Sequence, residues 1–155
     1  MTAGMVHSIN VSNGGVPKRP RASAWIGASG VEGDRQKDLR CHGGPDRAVS
    51  LYSWDLIQAL QAEGHLIVPG AIAENLTLAG IDWTAMRPRA RLAIGEVLLE
   101  ITRYTSPCAK IAGAFHDGGF VRVSQKVHPG WSRVYARVLA EGRVATGDAV
   151  SLEGI

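Results

Sequence analysis

Glycine sets the strongest limit on this fold. The 19 glycines of the 155-residue chain fall between short runs of β-forming residues and leave few stretches long enough for a helix. Glycine adopts positive φ without a steric penalty and so punctuates strands with tight turns. Residues 5–11 read as a strand stopped at Asn13-Gly14-Gly15, and residues 24–28 as a second one stopped by Gly30 and Gly33. Residues 48–52 form a short buried strand and residues 76–78 another. Residues 91–94 and 97–102 flank Gly95-Glu96 as a hairpin. Residues 120–127 follow Gly118-Gly119 and alternate polar with apolar side chains, which predicts a half-buried strand. Residues 133–139 and 149–152 close the chain, between turns at Glu141-Gly142 and Gly147-Asp148. One segment reads clearly as a helix: Ser53 can cap residues 54–63, with Trp54, Ile57 and Leu60 on one face and Gly64 past the end. Many short strands with few short helices predict a mainly β fold, a β-barrel.

A chain of this length suits one domain, residues 1–155, and buries roughly two-thirds of its unfolded surface without disulfide or metal staples. Its two cysteines, Cys41 and Cys108, are far apart in sequence and form no CxxC pair. A reducing compartment is the simpler setting. The first residues lack the long apolar run of a signal peptide, and no stretch nears 18 uninterrupted apolar residues; a cytoplasmic location is expected. A formal charge of +3 and a pI near 9.1 give a weak pull toward an anionic partner. The basic residues are scattered (Lys18, Arg19, Arg21, Arg87, Arg89, Arg91, Arg133, Arg137, Arg143), with no aromatic-interleaved stripe. Nucleic acid is not expected as a partner, and most of these arginines are expected to be solvated.

The candidate chemistry centres on Thr105-Ser106-Pro107-Cys108-Ala109-Lys110. Ser106 is a good N-cap and Pro107 suits the first helical position. This predicts Cys108 in the first turn of a short helix, where free N–H groups favour an anion and a thiol becomes a better nucleophile or soft-metal ligand. Lys110 adds a positive charge. The competing reading is an unpaired cysteine acting as a small buried hydrophobe, and Cys41 beside His42 carries the same pair of readings. Gly30 and Gly33 before Asp34-Arg35, and His42-Gly43-Gly44-Pro45-Asp46-Arg47, are either backbone cradles for an anion or tight turns at a barrel rim. Asp46 and Arg47 could simply pair with each other. Glu74-Asn75 could orient a polar ligand, or Asn75 could hold a turn. His7, His42, His65, His116 and His128 show no ligand spacing of a zinc site, and a Cys-His hydrolase finds no named partner for Cys108.

Several segments in order nonetheless make the chain resemble the MOSC family, named for the C-terminal domain of molybdenum cofactor sulfurases. They are Gly30-Val31-Glu32-Gly33-Asp34-Arg35, His42-Gly43-Gly44-Pro45-Asp46-Arg47-Ala48-Val49, Glu74-Asn75-Leu76-Thr77-Leu78 with Gly80-Ile81, Leu92-Ala93-Ile94-Gly95, Pro107-Cys108-Ala109-Lys110, and Tyr135-Ala136-Arg137-Val138-Leu139 with Gly142 and Gly147-Asp148-Ala149-Val150. The resemblance implies a barrel like the β-domain of pyruvate kinase, and a role in molybdenum or sulfur chemistry; molybdenum-ion and pyridoxal phosphate binding go with the family. It places on Cys108 the role of molybdenum ligand or persulfide carrier. By the same likeness Arg35, Arg47 and Lys110 would hold the anionic end of molybdopterin, with His42, Gly43, Gly44, Asp46, Glu74 and Asn75 lining the cavity.

Stand-alone members resemble small molybdoenzymes that reduce N-hydroxylated compounds such as hydroxylaminopurines or amidoximes. Two cysteines cannot hold a four-cysteine iron–sulfur cluster, so such an enzyme needs an external flavin or iron–sulfur reductase. The alternative is a carrier that receives sulfur on Cys108 from a cysteine desulfurase. Ser106 stands where many relatives carry arginine two positions before the cysteine, and Ala73 where they carry glycine before Glu-Asn. Arg103, on the preceding strand, is the expected replacement donor.

Overall fold

The structure is a computed structural model that describes residues 2–35 and 45–153; Cys41, His42, Gly43 and Gly44 lie outside the described residues. In chain order the elements are β1 (Thr2–Val11), β2 (Arg19–Arg21), β3 (Ser23–Gly27), β4 (Gly30–Val31), β5 (Val49–Ser53), α1 (Trp54–Ala62), β6 (Leu76–Ala79), β7 (Arg91–Ile94), β8 (Val97–Tyr104), β9 (Val134–Ala140), β10 (Gly142–Ala145) and β11 (Ala149–Glu153). Seven strands close a ring in the order β1-β11-β7-β8-β9-β5-β6 and back to β1. The expected β-barrel is therefore present. Closure leaves the ring without a free edge. The β5–β6 pair is parallel, with α1 between the two strands in sequence, whereas the other ring pairs are antiparallel. β2 extends β1 outside the ring, and β10, β3 and β4 form a separate three-stranded sheet.

β1 makes closure possible because it serves three partners in turn. Residues Thr2–Met5 pair with β11, Met5–Ile9 with β6, and Ile9–Val11 with β2, with a register shift between Val6 and Ser8. A register shift of this kind bends a strand and increases its twist. Gly4 permits the crossing: a Cβ there would lie 2.2 Å from the carbonyl oxygen of Ala79. Alternation fills the interior as expected, with Val97, Leu99 and Ile101 of β8 buried. All five residues of β5 are buried. Ser53 caps α1 as its sequence predicts, its Oγ accepting the Leu56 N–H at 3.1 Å. Ile57 and Leu60 face the core.

One expected strand is absent. Residues 120–127 hold a 3₁₀ turn at Phe120–Val123 followed by irregular backbone. Asp117 accepts the Gly119 N–H at 2.8 Å and curls the chain before an extended strand can start. Only Val123 of the alternating valines is buried, while Val121 and Val127 are exposed. β10 was not anticipated: Gly142 ends the turn after β9, and the chain moves across to pair with β3.

The loop before β6 carries local strain. Ala73 has φ of 68°, a left-handed conformation that costs a non-glycine residue roughly 1–2 kcal/mol. It is held there by its N–H donating to the Gly70 carbonyl and by its own carbonyl accepting the Ser50 hydroxyl, each at 3.1 Å. Ala73→Gly removes the steric penalty and adds about 0.5–1 kcal/mol of backbone entropy cost. The expected net effect is stabilisation of about 0.5–1 kcal/mol, measurable by urea unfolding. A destabilised variant would show that the Ala73 methyl contributes packing worth more than the strain.

Candidate functional site

Cys108 is exposed and makes no disulfide. It stands one position before the place expected from sequence. The 3₁₀ helix runs Ala109–Ala114, and Cys108 is its cap residue in extended backbone (φ −142°, ψ 172°), with no side-chain cap hydrogen bond. Ser106 therefore does not cap this helix. The Cys108 carbonyl accepts the Ile111 N–H at 3.1 Å, so the helix start holds the backbone and leaves the thiol turned to solvent. The choice between a buried hydrophobe and an accessible thiol falls to the thiol.

Two titratable groups around the start of β9, the Arg133 guanidinium and the Tyr135 phenol, interact electrostatically with Cys108. Arg133 is 4% exposed, against the expectation of a solvated side chain. Its Nη1 donates to the Ile72 carbonyl at 2.6 Å, whereas its Nε has no hydrogen-bond partner among the described residues. Burial pushes the guanidinium down from its ordinary value, opposed by the charges of Tyr135, Glu74 and Cys108; an arginine nonetheless stays cationic at neutral pH. Burial raises the Tyr135 phenol, against the lowering pull of Arg133, Arg47 and Thr105. The Arg47 guanidinium lies over the Tyr135 ring, 5.9 Å from its centroid. Arg47 sits in the 3₁₀ turn Pro45–Arg47, tied down where the Thr102 hydroxyl donates to the Asp46 carbonyl. The Tyr135 phenol thus feels the charges of Arg133, Arg47 and Cys108 together: two cations, one of them buried, and an exposed thiol.

Other expected site residues have different positions. Lys110 is exposed on the 3₁₀ helix after Cys108, and Asp46 is exposed beside Arg47. Arg35 is exposed, with its N–H donating to the Ser12 carbonyl. Arg103 is exposed on β8, opposite Tyr135 in the register, whereas Arg133 is buried. A cavity of about 220 Å³ opens beside Ser132, lined also by Trp83, Tyr104 and Gln125 but not by Cys108.

Glu74 and Asn75 are fully buried and hold the barrel together. The Asn75 side chain accepts the Ser50 N–H at 3.1 Å and donates to the Asn10 carbonyl at 3.2 Å and to Asp34 Oδ2 at 2.9 Å. Asp34 Oδ1 accepts Lys18 Nζ at 2.7 Å in an ion pair whose side chains are 5% and 3% exposed. Lys18 is therefore a second basic residue that is buried rather than solvated. Nothing in its local sequence marks it, because its partner Asp34 lies in the glycine loop after β4. For Asn75 the structural reading prevails: its amide bonds backbone and side chains of the fold. Glu74 Oε2 accepts the Thr77 hydroxyl at 2.9 Å.

Burial holds the Glu74 carboxyl above its ordinary value of 4.5, against the lowering effect of hydrogen bonds from Gly70, its own N–H and Thr77 and of the Arg133 charge. The folded state thus keeps a proton that the unfolded chain gives up. This group's contribution to stability is full at acidic pH and declines as the pH rises past the unfolded-state value. Glu74→Gln cannot ionise, so its stability relative to wild type is expected to improve from about pH 4 to about pH 8. Urea midpoints across that range measure it, and a difference that stays flat would mean the carboxyl ionises normally in the fold.

The MOSC domain model matches residues 38–151. The uncharacterized protein YflK of Bacillus subtilis is 32% identical over 145 residues, covering 89% of this chain and 62% of YflK. Protein YiiM of Escherichia coli is 32% identical over 128 residues, covering 79% of this chain and 56% of YiiM. The chain thus spans about three-fifths of the length of these curated relatives. In fold it is similar to the crystal structure of YiiM from Geobacillus stearothermophilus, with a TM-score of 0.75 at 24% identity over 97% of this chain and 75% of that one. It is also similar to the YuaD protein of Bacillus subtilis, with a TM-score of 0.74 at 16% identity over 99% of this chain and 97% of that one. Family model, relatives and barrel agree with the motif series in the sequence: the chain belongs to the MOSC domain family.

Proposed function

We propose that this protein binds the molybdenum cofactor through Cys108 and reduces N-hydroxylated compounds with electrons from an external flavin or iron–sulfur reductase. The observation that carries the reading is the exposed Cys108 thiol, which interacts electrostatically with the buried Arg133 guanidinium. A cysteine sulfur is a soft ligand for the metal, and the cations around it favour the anionic part of a phosphorylated pterin, so the residues present fit the group.

Cys108 would ligate the metal, with its sulfur presented by the extended backbone at the helix cap. Arg133, buried with its Nη1 on the Ile72 carbonyl, would act on the anion through its positive charge, which low dielectric leaves poorly screened. Arg47, held over Tyr135, would give a second positive charge, and exposed Lys110 and Arg35 would meet the outer part of the anion. Tyr135 carries a phenol that burial keeps protonated at neutral pH, so it can donate a hydrogen bond but not a charge. When bound, the cofactor supplies the two-electron chemistry of the reduction, in which an N-hydroxyl group plus two electrons and two protons gives the amine and water.

The test uses protein expressed in cells that make the cofactor. Molybdenum and pterin near one per chain are expected in wild type, with both lost in Cys108→Ala and strongly reduced in Arg133→Met. With a chemical electron donor, wild-type protein is expected to convert a hydroxylaminopurine to the aminopurine. Protein without molybdenum or pterin at any useful occupancy sinks the proposal. A cyanide-labile sulfur on Cys108 after incubation with a cysteine desulfurase, absent from Cys108→Ser, would replace it with the sulfur-carrier reading.

A further inference from the structure

We propose a second metal site, for a divalent ion of the zinc type, formed by His65, His116 and Asp117. The three residues come from two segments: His65 follows the end of α1, and His116-Asp117 follow the 3₁₀ helix that begins after Cys108. One ligand atom from each of the three lies within 4.8 Å of the others. The fold brings them together because buried Phe115 packs its ring against the edge of His65, centroids 5.2 Å apart. Gly64, with φ of 98°, turns the chain after α1 and brings His65 beside the His116 ring. The two imidazoles stack at 4.8 Å.

The surroundings of His65 have the arrangement of a ligating histidine. Its side chain is 7% exposed, and its Nε2 lies 3.5 Å from Glu63 Oε1. Glu63 is itself fixed by Arg122, through Nε at 3.0 Å and Nη2 at 2.7 Å, and Arg122 lies 3.9 Å over the Trp131 ring. A carboxylate that accepts from one imidazole nitrogen sets the tautomer and leaves the other nitrogen with its lone pair free for a metal. That other nitrogen, Nδ1, faces His116, whose N–H approaches it at 3.4 Å, a long contact that an ion can displace. Asp117 supplies an anionic oxygen and lies beside both histidines. Two imidazoles and one carboxylate suit zinc and its first-row neighbours and disfavour magnesium or calcium, which take oxygen donors. Three protein ligands leave one tetrahedral position for water.

Zinc chloride titrated into the metal-free full chain, followed by calorimetry, tests the site. Cys108→Ser is titrated in parallel, because a free thiol also binds zinc. One zinc per chain is expected at this site in both, with a rise in Tm. His116→Ala and Asp117→Asn, at exposed positions, are each expected to weaken binding by more than about tenfold in the Cys108→Ser background and to abolish the Tm rise. Circular dichroism checks that these variants keep the fold; Glu63→Gln provides a further arm and is expected to weaken binding by about tenfold. No stoichiometric zinc binding in Cys108→Ser, or binding that His116→Ala leaves unchanged, overturns the proposal.

Discussion

The barrel depends on the side-chain amide of Asn75. At this point β1 and β5 diverge around the start of β6, and their backbone groups would otherwise be buried without partners. The Asn75 N–H donates to the Ser50 carbonyl at 2.8 Å, and its own carbonyl accepts the Asn10 N–H at 2.7 Å. The side chain repeats the link, bonding Ser50 on one side and Asn10 and Asp34 on the other. An amide can do this because it donates and accepts at once; a carboxylate of the same shape can only accept. Through Asp34 the network reaches Lys18, whose N–H also donates to the Gly70 carbonyl. The loop from Gly70 to Asn75 is thereby fixed at both ends, and Ile72, in its middle, presents the carbonyl that receives Arg133.

The burial of Arg133 is a consequence of that loop. Arg133 immediately precedes β9, which pairs with both β5 and β8. Its guanidinium points inward only because Ile72 offers an acceptor in the apolar interior, and an unpartnered buried cation would otherwise cost several kcal/mol, on the order of the penalty for breaking a buried ion pair. The Thr105 N–H donates to the Arg133 carbonyl at 2.9 Å, which ties the end of β8 to the start of β9 three residues before Cys108. The thiol is thus positioned by a strand pair before it as well as by the start of the short helix after it. This matters for the chemistry, since a strand-anchored backbone holds a ligand more firmly than one turn of 3₁₀ helix does.

Wherever one local rule dominated, the sequence was legible. Ser53 before an apolar stripe announced α1, Gly95-Glu96 announced the β7–β8 hairpin, and the glycine spacing announced a mainly β fold. Failures came where distant contacts outweigh local pattern. Residues 120–127 alternate like a strand, yet the Asp117 turn and the single buried Val123 produce a 3₁₀ turn, because no ring strand offers a free edge there. Ser106-Pro107 looked like a helix start, but Cys108 remains extended and the helix begins after it. Arg133 looked like a solvated charge and nothing local marked Lys18 as buried, since burial of a cation is decided by an acceptor far along the chain: Ile72 in one case and Asp34 in the other. His65 and His116, distant in sequence, come together only because the turn after α1 meets the segment after Cys108.

Lys18 and Arg133 also show how a buried charge that maintains a fold differs from one available for binding. Both are removed from water, and both carry a desolvation cost that partners must offset. Lys18 meets a carboxylate at 2.7 Å, so its charge is neutralised inside the fold and nothing remains for a ligand. Arg133 meets a neutral carbonyl through one nitrogen and keeps Nε without a partner among the described residues. Among the described residues its net positive charge meets no direct ion pair, in a place where unpaired donors are rare enough to need a reason. An anion carried by the proposed cofactor would offset that charge, and Cys108, the only cysteine among the described residues, already interacts with it electrostatically. The same comparison separates Asn75 from the site: every polar atom of its side chain is used by the fold, so its proximity in sequence to Glu74 reflects architecture and not ligand contact.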